Sequence, residues 1–301
     1  MKLRPVFTSI VACSALLGGL QSQPLPCWGQ SKAQATDNTK EVPFQLHGGH
    51  GIVVRGSIGD LKNISFLVDT GAVPGVLDSR IARKLHLQGE TVQISALSKT
   101  VPVQWVDAPD VRLGPLHSDK LRVVARDLSF ASDLLGTRID AMIGFDLLGQ
   151  SSFTIDYEAK KIVFGPVDPS LVTIPYHPGL PFAVVDLQIQ GEKLAVLVDT
   201  GASDLLLFNS ALGNCRSSIK VSSVQTGSNM GGEMQLSPAR LTGVSLGVLR
   251  WEPRKVYVVQ DYGQQPFGLA GMLGTMMLST KRVAFDQDRN LVAWAPSKEQ
   301  Q

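Results

Sequence analysis

Short runs of alternating apolar and polar residues, rich in β-branched side chains, recur along most of the chain. They predict strands over 52–54, 64–68, 101–106, 121–124 and 153–155, then over 183–187, 194–198, 241–246, 256–259 and 283–285. Turn residues separate these runs at Ser57-Ile58-Gly59-Asp60, Asp156-Tyr157-Glu158, Gln190-Gly191-Glu192 and Asp286-Gln287-Asp288. The clearest helical period lies over 79–87, where Ile81, Ala82 and Leu85 share one face. A segment at 167–178, with Pro169, Pro175 and Pro178, reads as a linker. The pattern predicts an all-β protein with few short helices.

The second half repeats the first. Leu67-Val68-Asp69-Thr70-Gly71-Ala72 returns unchanged as Leu197-Val198-Asp199-Thr200-Gly201-Ala202, 130 positions later. Ala141-Met142-Ile143-Gly144 corresponds to Gly271-Met272-Leu273-Gly274, and each glycine lies 75 residues beyond its aspartate. Val111-Arg112-Leu113-Gly114 echoes Val244-Ser245-Leu246-Gly247, and the 153–164 stretch echoes 283–294. Four landmarks in one order and spacing indicate a duplicated unit, hence two lobes. The boundaries expected are a leader at 1–35, a polar lead-in at 36–45, lobes at 46–166 and 179–296, and the linker between them.

The leader changes the charge argument. Lys2 and Arg4 precede an apolar run over 6–20, and Ala33-Gln34-Ala35 offers a cleavage site, which predicts export to a periplasmic or extracellular space. The apolar run before Cys13 is too short for a lipoprotein anchor, and nothing later offers the roughly 20 apolar residues of a membrane span. Lys2, Arg4 and Lys32 are the only charged residues of the leader, so the remainder carries 25 basic against 26 acidic side chains. The apparent pI of 8.4 is therefore a leader effect and gives no support for nucleic-acid binding. Of Cys13, Cys27 and Cys215, cleavage after Ala35 leaves only Cys215, which reads as a small buried thiol. An earlier cut would retain Cys27 and permit a Cys27–Cys215 bridge.

The repeated Asp-Thr-Gly-Ala carries the chemistry. In each copy an apolar strand delivers an aspartate to a turn, where Gly71 or Gly201 supplies backbone freedom and Ala72 or Ala202 permits a close approach. Duplicated units pack about an approximate two-fold axis, so loops near that axis meet their own copies. Asp69 and Asp199 would then lie within hydrogen-bond range. Two carboxylates that close cannot both ionise, and they share one proton. The ionised member can take a proton from water while the other donates to a scissile carbonyl. Such a pair needs neither metal nor covalent nucleophile, and no cofactor is expected.

These motifs resemble the aspartic peptidases of the pepsin and retropepsin group, over about 47–294 in two passes. The resemblance implies two acid-protease lobes related by a pseudo-two-fold axis, with Asp69 and Asp199 catalytic. It implies that Gly144 and Gly274 thread behind the loops and that Thr70 and Thr200 cross-brace them. The lobes, near 130 residues, are short for pepsin relatives. Ala72 and Ala202 stand where pepsin-like enzymes carry Ser or Thr, which predicts a mildly acidic working range. A substrate-covering flap is expected at the Gly-rich stretch 226–234, with Gly227, Gly231 and Gly232. Its first-lobe equivalent, 95–104, lacks glycine, so the second flap is expected to do most of the covering.

Other candidates are weaker. His47 and His50 flank two glycines without a third ligand at metal spacing and read as loop histidines. His86, His117 and His177 are isolated. No Gly-x-Ser-x-Gly elbow, His-Glu-x-x-His or phosphate loop is present. The expectation is a monomeric endopeptidase acting on peptides or proteins. The rival is an inactive peptide-binding protein on the same scaffold.

Overall fold

The computed structural model describes residues 40–96, 99–229, 232–260 and 266–295. Strands make up 54% and helices 13%, which establishes the all-β class. Among the described residues the strands form one sheet of 13 and one of 10.

Each half contains the same crossing. Strand Leu61–Val68 runs parallel to Ala141–Ile143, with Leu67 opposite Met142. Strand Glu192–Asp199 runs parallel to Gly271–Gly274, with Leu197 opposite Met272. Val76–Asp78 and Leu205–Phe208 pair antiparallel to the far side of those short strands. Every one of these matches keeps the 130-residue offset. The aspartate-bearing strands lie inside their sheets, and both faces are covered. That explains why Phe66-Leu67-Val68 and Val196-Leu197-Val198 are continuously apolar instead of alternating, each with at most 1% exposure.

The lobes are joined by main-chain pairing. Strand Phe153–Asp156 lies antiparallel to Arg282–Asp286, and Thr154 faces Ala284, its own counterpart in the repeat. The pseudo-two-fold axis therefore passes through this pair. Phe153 and Phe285, on either side, stack with ring centroids 4.9 Å apart and are wholly buried.

Four local expectations change. The helix over 79–87 is shorter, Ser79–Lys84, capped by Asp78, whose carboxylate accepts the Arg80 N–H. Its last turn ends where Leu85 caps the helix and His86 enters the left-handed region. The strand expected over 241–246 is two strands, Gly232–Leu241 and Val244–Leu246, with the chain turning at Thr242-Gly243. The proline-rich 167–178 segment holds strand Val172–Pro175, paired with Leu291–Trp294 at the sheet edge, where proline is tolerated. In the described part of the lead-in, strand Glu41–His47 buries Val42 and Phe44 in the core. Two alternating apolar residues among polar ones suffice for an outer strand with one face covered.

Candidate active site

The two Asp-Thr-Gly loops meet at the lobe interface, held by reciprocal threonine bonds. The Thr70 N–H donates to Thr200 Oγ1 at 3.0 Å, and the Thr200 N–H donates to Thr70 Oγ1 at 3.0 Å. Each hydroxyl in turn donates across the interface, Thr70 to the Val198 carbonyl at 2.8 Å and Thr200 to the Val68 carbonyl at 2.9 Å. Both threonines are buried, so their donors and acceptors depend on one another for satisfaction. The residue before each threonine is thereby fixed in place.

Asp69 and Asp199 have no exposed surface. Asp69 Oδ1 accepts the Gly71 N–H at 3.0 Å, and Asp199 Oδ1 accepts the Gly201 N–H at 2.7 Å. The second oxygen of each, Oδ2, is buried without a partner if both acids are ionised. A proton between the carboxyls removes that deficit. Burial raises Asp69 well above the usual carboxylate range, and the charge and hydrogen bond of Asp199 raise it further. Burial also raises Asp199, but the hydrogen bond from Asp69 and the N–H groups of Gly201, Gly71 and Ala202 act against the rise. The asymmetry makes Asp69 the acid and Asp199 the carboxylate of a single-proton pair.

The glycines act through space. Gly71 does not occupy the left-handed region, which corrects the expectation that it supplies backbone freedom. A Cβ at Gly71 would lie 2.8 Å from the Asp199 carboxyl carbon, so glycine is what lets the second carboxyl rest against the first loop. A Cβ at Gly144 would fall on the Ala72 carbonyl oxygen, and one at Gly274 would lie 2.5 Å from that of Ala202. The crossing segments therefore touch the Asp loops through glycine. The Asp69 N–H completes the contact by donating to Ile143 at 3.0 Å. Ala72 and Ala202 are fully buried beneath.

The expected flap is a hairpin of Gln225–Asn229 and Gly232–Leu241, with Asn229 opposite Gly232. Gly227 and Gly232 lie in its arms, and Gly231 falls outside the described residues. The first lobe carries an equivalent hairpin, Glu90–Ala96 with Lys99–Leu113. Its missing glycine does not remove it, because Thr91, Val92, Ile94, Val101 and Val103 favour strand.

Two side chains near the site were not singled out from the sequence. Asp146 Oδ2 accepts the Gly75 N–H at 2.7 Å, bracing the end of the first Asp loop. Burial pushes its carboxyl up to about 6. Aligning the copies would have exposed it, since its counterpart is Met276. The other is His50, expected as a plain loop histidine but 96% buried, at 4% exposure, with Nε2 unpartnered.

Comparison with known families agrees with this geometry. Residues 54–147 match a family described as aspartyl protease, and residues 185–280 match one described as gag-polyprotein putative aspartyl protease. Each match spans its Asp-Thr-Gly and its crossing glycine. No curated protein matches the chain. The chain thus carries two tandem aspartyl-protease domains and belongs to the aspartyl proteases, in a two-lobe, retropepsin-like form.

Proposed function

We propose that this protein is an exported aspartic endopeptidase that hydrolyses peptide bonds with a water activated between Asp69 and Asp199. The observation that carries the reading is the pair of sealed carboxyls, brought from duplicated loops and biased to hold one proton. Asp199, as the carboxylate, takes a proton from the water as its oxygen attacks the scissile carbonyl carbon. Asp69, as the acid, gives its proton to the carbonyl oxygen. Collapse of the tetrahedral intermediate returns a proton to the leaving amine and regenerates the single-proton pair. The single chain supplies both acids, so a monomer is sufficient. Because both carboxyls are sealed, substrate access requires displacement of chain above them, and the two hairpins are the elements proposed to move. Export follows from the leader pattern of residues 1–35, which lie outside the described residues.

Asp199→Asn should reduce cleavage of a denatured protein substrate by about 10³-fold or more, while the variant melts no earlier than the parent. Full activity of the purified variant would refute the mechanism. The rate should fall at high pH as Asp69 loses its proton and at low pH as Asp199 gains one. Both groups are raised, which places the maximum at mildly acidic pH.

A further inference from the structure

The repeat gives every position beside the dyad a counterpart 130 residues away, and at two of them the chemistry is opposite. His50 corresponds to Leu180, and Ser203-Asp204 corresponds to Val73-Pro74. Pairing of Ile52 with Val68 sets His50 just beyond the level of Asp69. Asp204 lies five residues past Asp199, and its charge acts on His50. The histidine of the first lobe therefore faces the Asp loop of the second.

His50 is built as an acceptor. Its Nδ1 lies 3.1 Å from the Gly48 carbonyl oxygen, which can only accept, so Nδ1 carries the hydrogen. Burial lowers the pKa of the ring and keeps it neutral. Nε2 is then a bare lone pair, buried and without a partner. An unsatisfied buried acceptor is destabilising, and such a group is tolerated where a ligand completes it. Asp204 supplies more acceptor capacity. Its Oδ2 receives the Ser203 hydroxyl at 2.6 Å, and among the described residues no Lys or Arg pairs with it. The opposite shoulder has no such group. Pro74 is buried, Leu180 packs partly buried against the core, and Phe267, 44% exposed, stands edge-on to Phe182 at 5.5 Å.

We propose that the two shoulders of the cleft select different substrate side chains: a hydrogen-bond-donating, cationic one between His50 and Asp204, and an apolar one beside Leu180 and Pro74. The inference rests on the peptidase reading in so far as a peptide must lie across the dyad. An extended chain crossing a two-fold axis presents its two directions to the two shoulders, so the preference fixes which way the substrate runs.

The test uses non-cleavable peptide analogues with a central hydroxyl, differing only by Lys or norleucine at one position on either side. Their Kd is measured on the full chain. At one position Lys should bind about tenfold tighter or more, as a charge-assisted hydrogen bond gives, and at the mirrored position norleucine should be preferred. Asp204→Asn and His50→Leu should each bring the Lys advantage to within about threefold and leave norleucine binding unchanged. Should His50→Leu fail to fold, Asp204→Asn alone decides. The proposal is overturned if no position prefers Lys, if neither analogue binds, or if the preference survives Asp204→Asn. Selective binding without cleavage of the matching amide peptide would instead sink the peptidase reading and leave this one standing.

Discussion

The two lobes share one skeleton and differ in how they hold it. The threonine brace is symmetric to a tenth of an ångström: 3.0 Å for both N–H bonds, 2.8 and 2.9 Å for the hydroxyls. Around it the symmetry fails. The first Asp loop is tied to its crossing segment by the Asp146 carboxylate, whereas the second lobe has Met276, 39% exposed, at that place. In the second lobe Thr275, next to the crossing glycine, is instead bonded to Tyr157 from the first lobe at 2.8 Å. After duplication, the groups that touch the reacting centre kept their identity because each serves both loops. The outer braces serve one loop each and were free to diverge.

Four substitutions probe that comparison. Gly144→Ala should have the largest effect, since its methyl would occupy the position of the Ala72 carbonyl oxygen. We expect a loss of at least ~4 kcal/mol in denaturant unfolding, and a smaller loss for Gly274→Ala, where the approach is looser. Thr70→Val and Thr200→Val should each cost about 3 kcal/mol, since each strands a buried N–H and a buried carbonyl. Unequal costs would mean that the brace is less symmetric in energy than in geometry.

Asp146→Asn separates the lobes by pH. The folded carboxyl, at about 6 against an ordinary 3.8, binds its proton more tightly than the unfolded chain does. Stability from this group is therefore present below about pH 4 and lost as pH rises to 6. The stability advantage of the parent over the Asn variant should grow by about 2 kcal/mol between pH 7 and pH 4. Met276→Ala should show no such pH term, and an equal slope in both variants would count against the account. Tyr157→Phe should be the mildest, at about 1 kcal/mol, the net worth of one hydrogen bond.

Much of this was readable in advance. The aspartates, the crossing glycines and the strands carrying them follow from a repeat whose spacing is kept through every pairing. The misses have local causes. Val172 and Ile174 sit among prolines that mark a linker, yet docking beside Leu291–Trp294 makes them an edge strand. Apolar residues on both sides of Thr242-Gly243 read as one run, although the chain turns there. His50 looked like any loop histidine, because the burial that sets its character comes from the folded surroundings and not from its neighbours in sequence.

Duplication and strand pattern alone determined that this protein has two β lobes, and that any shared chemistry would involve Asp69 and Asp199. A repeat cannot say how its copies face each other, since that depends on packing between residues far apart in the chain. Only the tertiary structure decided that the carboxyls are sealed together, that Gly71 is needed for the Asp199 side chain, and that Asp69 is the member that holds the proton. Burial and the direction of a few N–H groups set those properties, and neither exists until the lobes close on one another.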